Sequence, residues 1–181
     1  MKKTIILSSI AVLISIIGVT LLNAQSTEKD FKLALQEYKQ GNYKKATKYY
    51  QEFCLKGNTD CCFNLAYMYS NGNGIVKNKI KAKKFYTIAC NSNHEQACFN
   101  LGLMYYKGDG IKKNKLQATK LFKISCENKY YKSCGILGYL YENGSGVKQN
   151  KKIAKKFYGK ACHGGETDAC EYYKKLNEQG Y

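Results

Sequence analysis

The sequence predicts an all-α protein of stacked helix–turn–helix repeats, and three observations carry that expectation. Cysteines stand eight residues apart at Cys54/Cys62, Cys90/Cys98, Cys126/Cys134 and Cys162/Cys170, each couple 36 residues after the one before. Glycine turns keep the same beat, at Gly72-x-Gly74, Gly108-x-Gly110 and Gly144-x-Gly146, each followed by Ile75, Ile111 or Val147. Between them the apolar residues recur with helical spacing, and no proline interrupts them. A fixed period of this length is the signature of a repeat array rather than of one globular core.

The amino-terminal element is read first. Met1-Lys2-Lys3 forms a basic start, Thr4 to Leu22 an apolar stretch, and Asn23-Ala24-Gln25 a small-residue junction. That order predicts a secretory signal peptide over residues 1–24, cleaved after Ala24, and a secreted or periplasmic mature chain of 25–181. The stretch also has the length to serve as an uncleaved anchor. No cysteine near the junction supports a lipoprotein. No later segment approaches membrane-spanning length.

Four repeats follow, at about 28–62, 63–98, 99–134 and 135–170, with a C-terminal cap over 171–181. In the second unit Cys62, Leu65, Ala66 and Tyr69 make an i, i+3, i+4, i+7 stripe, which is one face of a helix. The Asn71-Gly72-Asn73-Gly74 turn ends that helix, because glycine takes the positive φ a C-cap often needs. Asn78 is a good N-cap for the next helix, which runs through Ala82, Phe85, Tyr86 and Ala89 to Cys90. The turn recurs with Asn114 and Asn150, and Asn42 holds the same place one period earlier. Gly41-Asn42 makes a tighter turn there, so the first unit reads as an atypical end repeat. The last helix, about Thr167 to Asn177, carries lysines and polar residues where the others are apolar, which suits a cap.

These motifs resemble a known family. The pattern Leu-Ala/Gly-x-x-Tyr-x-x-Gly-x-Gly-Ile/Val, then Asn, then Ala-x-x-Phe/Leu-Tyr/Phe, is similar to the Sel-one-like repeat, a relative of the tetratricopeptide repeat. With cysteines eight apart behind a signal segment, the chain also resembles the secreted cysteine-rich Hcp family, over roughly Glu28 to Tyr173. The resemblance implies a right-handed α-solenoid with one disulfide per repeat. It also implies a β-lactam-binding or weak β-lactamase activity, the label some members carry.

The registered cysteines bracket short connections, Leu55 to Cys61, Asn91 to Ala97, Glu127 to Ser133 and His163 to Ala169. Disulfides Cys54–Cys62, Cys90–Cys98, Cys126–Cys134 and Cys162–Cys170 would fix the angle between successive repeats there. Metal binding needs further converging ligands, and His94 and His163 lie in different repeats, so no metal is expected. Cys61 falls off the beat, its counterparts being Ala97, Ser133 and Ala169. It reads as a partly buried small side chain, as an unpaired thiol, as an intermolecular bridge, or as a rival to Cys62 for Cys54. A monomer is expected, with a Cys61-linked dimer left open.

Charge and catalysis narrow the function. All 30 basic residues are lysine, against 13 acidic ones, giving a net +17. Without arginine's bidentate fork, specific nucleic-acid recognition is not expected. The lysines form a ridge at each second-helix start, Lys77 to Lys84, Lys112 to Lys120 and Lys148 to Lys156. That ridge is either a solvated face or an attractor for acidic polymers, cell envelope or host surfaces. Ser-x-x-Lys occurs at Ser26–Lys29 and Ser145–Lys148, which is what 9 serines and 30 lysines in 181 residues give by chance. Neither Ser-Asp-Asn nor Lys-Thr-Gly accompanies them. No catalytic residue and no cofactor are predicted. What remains is a surface on the first helices, opposite the core stripe, with Asn64, Tyr67, Asn100, Leu103 and Tyr139 as candidate contacts for a protein, a peptide or a cell-envelope component. A peptidoglycan-like or β-lactam ligand is the alternative. Asn64 and Asn100 are expected to be exposed. Met68, Met104 and Leu140 either join that surface or pack neighbouring first helices together.

Overall fold

The structure, a computed structural model, describes residues 26–181; the predicted signal segment lies outside the described residues. Among the described residues there are nine helices and no strand. α1 covers 26–39. It is followed by α2 (Tyr43–Leu55), α3 (Thr59–Asn71), α4 (Lys79–Asn91), α5 (Glu95–Lys107), α6 (Lys115–Glu127), α7 (Tyr131–Asn143), α8 (Lys151–His163) and α9 (Thr167–Glu178). Each helix packs chiefly on its neighbours in sequence, which makes the array an α-solenoid. Among α2 to α9 the tightest unions are α3 with α4, α5 with α6 and α7 with α8.

The repeated residues explain these elements. Asn78, Asn114 and Asn150 sit in extended backbone, and their side chains accept the Lys81, Gln117 and Ile153 N–H at 2.9 Å each. Gly72, Gly108 and Gly144 end the preceding helices in the left-handed region, at φ 78°, 76° and 66°. The first unit departs from this, as expected of an end repeat. Asn42 makes no cap bond; its amide donates to Glu37 Oε2 at 2.9 Å. Lys45 Nζ donates to Glu37 Oε1 at 2.6 Å, and this bond first, the Asn42 amide second, lowers the Glu37 carboxyl pKa.

Helix pairs approach closely because small residues allow it. A Cβ on Gly102 would lie 2.8 Å from the Phe122 ring, and one on Gly138 would lie 2.5 Å from Tyr158. Ala66 holds the matching position in α3 and is fully buried. The apolar core runs along the array in two adjoining clusters, Leu65, Tyr86, Leu101 and Met104 in one, Phe122, Leu137, Leu140 and Tyr158 in the other.

The four on-beat couples are disulfides: Cys54–Cys62 joins α2 to α3, Cys90–Cys98 α4 to α5, Cys126–Cys134 α6 to α7, and Cys162–Cys170 α8 to α9. Closing so short a loop contributes about 2–3 kcal/mol through the unfolded chain. Cys61 forms no bridge and is fully buried. Burial, with Asp60 and Asp30 nearby, pushes its thiol from 9.0 up to about 12. A thiol in that position reaches neither solvent nor a second molecule without opening the helix pair.

Candidate binding surface

Two clefts lie on the first-helix side. The first, about 170 Å³, is set between α3 and α5 and is lined by Tyr67, Asn71, Asn100 and Leu103, with Lys79 and Asp109 beside them. Its polar groups serve the solenoid itself. Asn100 Nδ2 donates to Tyr86 Oη at 3.2 Å, and Asn71 Nδ2 to the Tyr67 carbonyl at 3.1 Å. Asn64, half-buried, donates to the Asp60 carbonyl of its own helix at 2.8 Å. Both asparagines expected at the surface are thus half-buried and internally bonded. Met68, Met104 and Leu140 are buried and pack neighbouring helices, and Met104 also forms part of the lining of this cleft.

The second cleft, about 380 Å³, lies between α7 and α9 and is more apolar. Ile136, Tyr139, Tyr158 and Tyr172 line it, with Glu166 and Asp168 on one side and Lys132 on another. Tyr158 stacks on Tyr172 at 5.1 Å and donates to Glu142 Oε2 at 2.8 Å, so the wall of the cleft is fixed. Tyr139 and Tyr172 remain about half exposed, at 52% and 48%, and Tyr67 at 44%. Tyrosine presents a flat apolar body with a polar tip at little entropic cost, which is why exposed tyrosines anchor contacts. Sequence reasoning missed Tyr172, because α9 looked like a polar cap; its period mates Ile136 and Asn100 were the available signal.

The residues weighed for chemistry are elsewhere and have structural partners. Ser145 Oγ accepts from Lys115 Nζ at 3.0 Å, a lysine from the preceding repeat and not Lys148. The same contact recurs one period earlier as Lys79 Nζ to Asp109 Oδ2 at 2.5 Å. It is a tie between repeats. His94 caps α5, its ring stacked on Phe63 at 4.6 Å. His163 Nδ1 lies 2.6 Å from the Gly159 carbonyl. No cluster of three potential metal ligands occurs among the described residues. Nor, among them, is any helix long and apolar enough to cross a membrane.

The Sel1 repeat matches residues 31–58, 59–94, 95–130 and 132–166. No curated protein matches the chain. Among solved structures, a Sel1 repeat protein from Oxalobacter formigenes is 30% identical with a TM-score of 0.77, over 82% of this chain and 61% of that one. The protective antigen c5321 of uropathogenic Escherichia coli, with an SLR fold, is 27% identical at a TM-score of 0.79, over 85% of this chain and 34% of that one. The chain therefore spans 61% and 34% of the lengths of these two proteins. The Helicobacter pylori cysteine-rich protein B is 34% identical at a TM-score of 0.58, over 71% of this chain and 92% of that one. Its likeness and the four disulfides point to an extracytoplasmic protein. Helical repeats in register, one disulfide to each junction and these likenesses agree: the chain belongs to the Sel1 repeat family.

Proposed function

We propose that the chain is an exported, disulfide-stapled scaffold that holds a segment of a protein or peptide on its first-helix face, without catalysis. Residues 1–24 act as its signal peptide. The observation that carries this reading is the row of half-exposed tyrosines, Tyr67, Tyr139 and Tyr172, with an apolar cleft of about 380 Å³ at its α7–α9 end. Protein association is the common use of such repeat faces, and a wall already braced by Tyr158 and Glu142 lowers the cost of ordering on binding.

A photo-crosslinking side chain at position 139, compared with one at Lys84 on the second-helix side, tests this in the native envelope or medium. The expected result is one partner captured from position 139 only, with the yield reduced at least fivefold by Tyr172→Ala. Equal capture from both positions overturns it. The mass of the unreduced protein tests export, with a mature chain starting at Gln25 expected. Nitrocefin turnover that disappears in Ser145→Ala would replace the scaffold with a β-lactamase.

A further inference from the structure

A cavity of about 990 Å³ lies where α8, Tyr173 of α9 and Tyr181 face the end of α6. Lys152, Lys155, Lys156 and Lys160 of α8 line it. The helix carries no acidic residue. Among the described residues, no ion pair engages Lys152, Lys156 or Lys160, while Lys155 is held by the Tyr181 main-chain oxygen. Glu127, the acid at the cleft, already pairs with Lys123 at 3.9 Å.

The repeats supply an internal control for what this charge is doing. Where α8 has Lys152, α4 has Ile80 and α6 has Leu116; where it has Lys160, they have Ile88 and Ile124. The second and third units therefore fold with apolar residues at both positions; α2 has Lys44 and Glu52 there, and the fourth unit is the one that carries an ammonium group at both. Both changes fall on the lining of one cleft. From Lys152 to Lys160 the charges extend roughly 12 Å along the helix at ~1.5 Å per residue, so they suit an extended anion with several charges.

Aromatic rings complete the lining. Tyr131 and Tyr173 form part of it, and Tyr181 folds back over α8, its ring 4.8 Å from Lys151 Nζ and its main-chain oxygen accepting from Lys155. No asparagine or glutamine lines the cleft, so nothing there pairs a peptide backbone by side-chain amides. Lysines, without an arginine fork, read no base edge and act as point charges, which suits an anion whose charges are spaced along its length. Flat rings between cations suit the apolar face of a sugar ring whose substituents carry the charge. We propose that this cleft binds an acidic polysaccharide, independently of the tyrosine face.

The test titrates the oxidised protein with an oligogalacturonate hexamer by calorimetry at low salt. Poly-L-glutamate of equal charge and neutral dextran serve as comparison probes. The key variant is Lys152→Leu/Lys160→Ile, which installs the residues that α6 carries at these positions; its thermal melt shows that it folds. Lys81→Ala/Lys84→Ala removes the same charge from α4. The expected result is about a tenfold loss for the α8 variant and less than twofold for the α4 variant. The slope of log affinity on log salt should also become shallower by nearly two for the α8 variant. Equal losses from the two variants would reduce the effect to net charge and overturn the site. Tighter binding of polyglutamate than of oligogalacturonate would overturn the ligand class, and no binding of the hexamer would overturn both.

Discussion

The junction between α2 and α3 and the junction between α6 and α7 carry the same disulfide at the same spacing, yet they differ in the pair of residues beside it. At the first the pair is Phe53 and Cys61; at the third it is Ser125 and Ser133. Ser133 Oγ donates to Ser125 Oγ at 2.6 Å, and Ser125 Oγ donates to the Glu95 carbonyl at 2.8 Å, so the third junction has a buried hydrogen-bond chain reaching the preceding repeat. The other two junctions hold Ala89 with Ala97 and Ala161 with Ala169. The bridge is constant and the neighbouring pair is free to vary, provided it fills the space and satisfies its own polar atoms. On that view Cys61 is a side chain chosen for volume.

The comparison can be broken most forcefully at the bridges. Cys126→Ala/Cys134→Ala and Cys54→Ala/Cys62→Ala should each lower stability by about 2–3 kcal/mol in denaturant titration. A large gap between them would mean that the bridges are not equivalent. Ser125→Ala removes the partner of the Ser133 hydroxyl in a site without water access and should cost about 1–3 kcal/mol. The double variant Ser125→Ala/Ser133→Ala recreates the pair of the neighbouring junctions and should recover most of that loss. Purely additive losses would disprove the interchangeability of the pair. Cys61→Ser places a hydroxyl in an apolar site and should cost about 1–3 kcal/mol, whereas Cys61→Ala should cost about 1 kcal/mol or less. If serine were the milder change, the volume argument would fail.

The buried thiol also has a pH signature. Its pKa is raised from 9.0 to about 12, so the folded chain keeps a proton that the unfolded chain loses above about pH 9. Its contribution is complete below that pH and declines as pH rises towards 12. Wild-type stability should therefore fall more steeply than that of Cys61→Ala between pH 9 and 10, before the tyrosines of the unfolded chain ionise. The smallest effect concerns the turn. Lys129 takes φ 67° where the first junction has Gly57 at φ 96°, and Lys129→Gly should raise stability by about 0.5–1 kcal/mol.

Much of this fold was legible because a repeat states the same physical solution several times. The Gly-x-Gly turns, the asparagine caps and the eight-residue cysteine spacing each recur, and each has a local cause. The candidate surface was less legible, because a period identifies equivalent positions and does not say how one repeat lies against the next. Asn64 and Asn100 looked free on a single helix, but one bonds its own backbone and the other reaches Tyr86. Met68, Met104 and Leu140 were ambiguous for the same reason, and all three are buried. Lys152 and Lys160 escaped notice because the lysine ridge was read as one repeated feature; the register shows that they replace Ile80, Leu116, Ile88 and Ile124.

The position of the bridges makes the two kinds of connection unequal towards a protease. A cut within 55–61, 91–97, 127–133 or 163–169 falls inside a covalent loop, and the two halves stay joined by sulfur. A cut in a Gly-x-Gly turn has no such safeguard. One glycine of each turn touches the preceding repeat, for a Cβ on Gly74 would lie 2.0 Å from the Tyr43 ring and one on Gly110 2.2 Å from Lys79, but the turns themselves are open, with Val76 87% exposed. A single cut therefore separates the chain only at the Gly-x-Gly turns, whereas at the four bridged connections sulfur keeps the array in one piece.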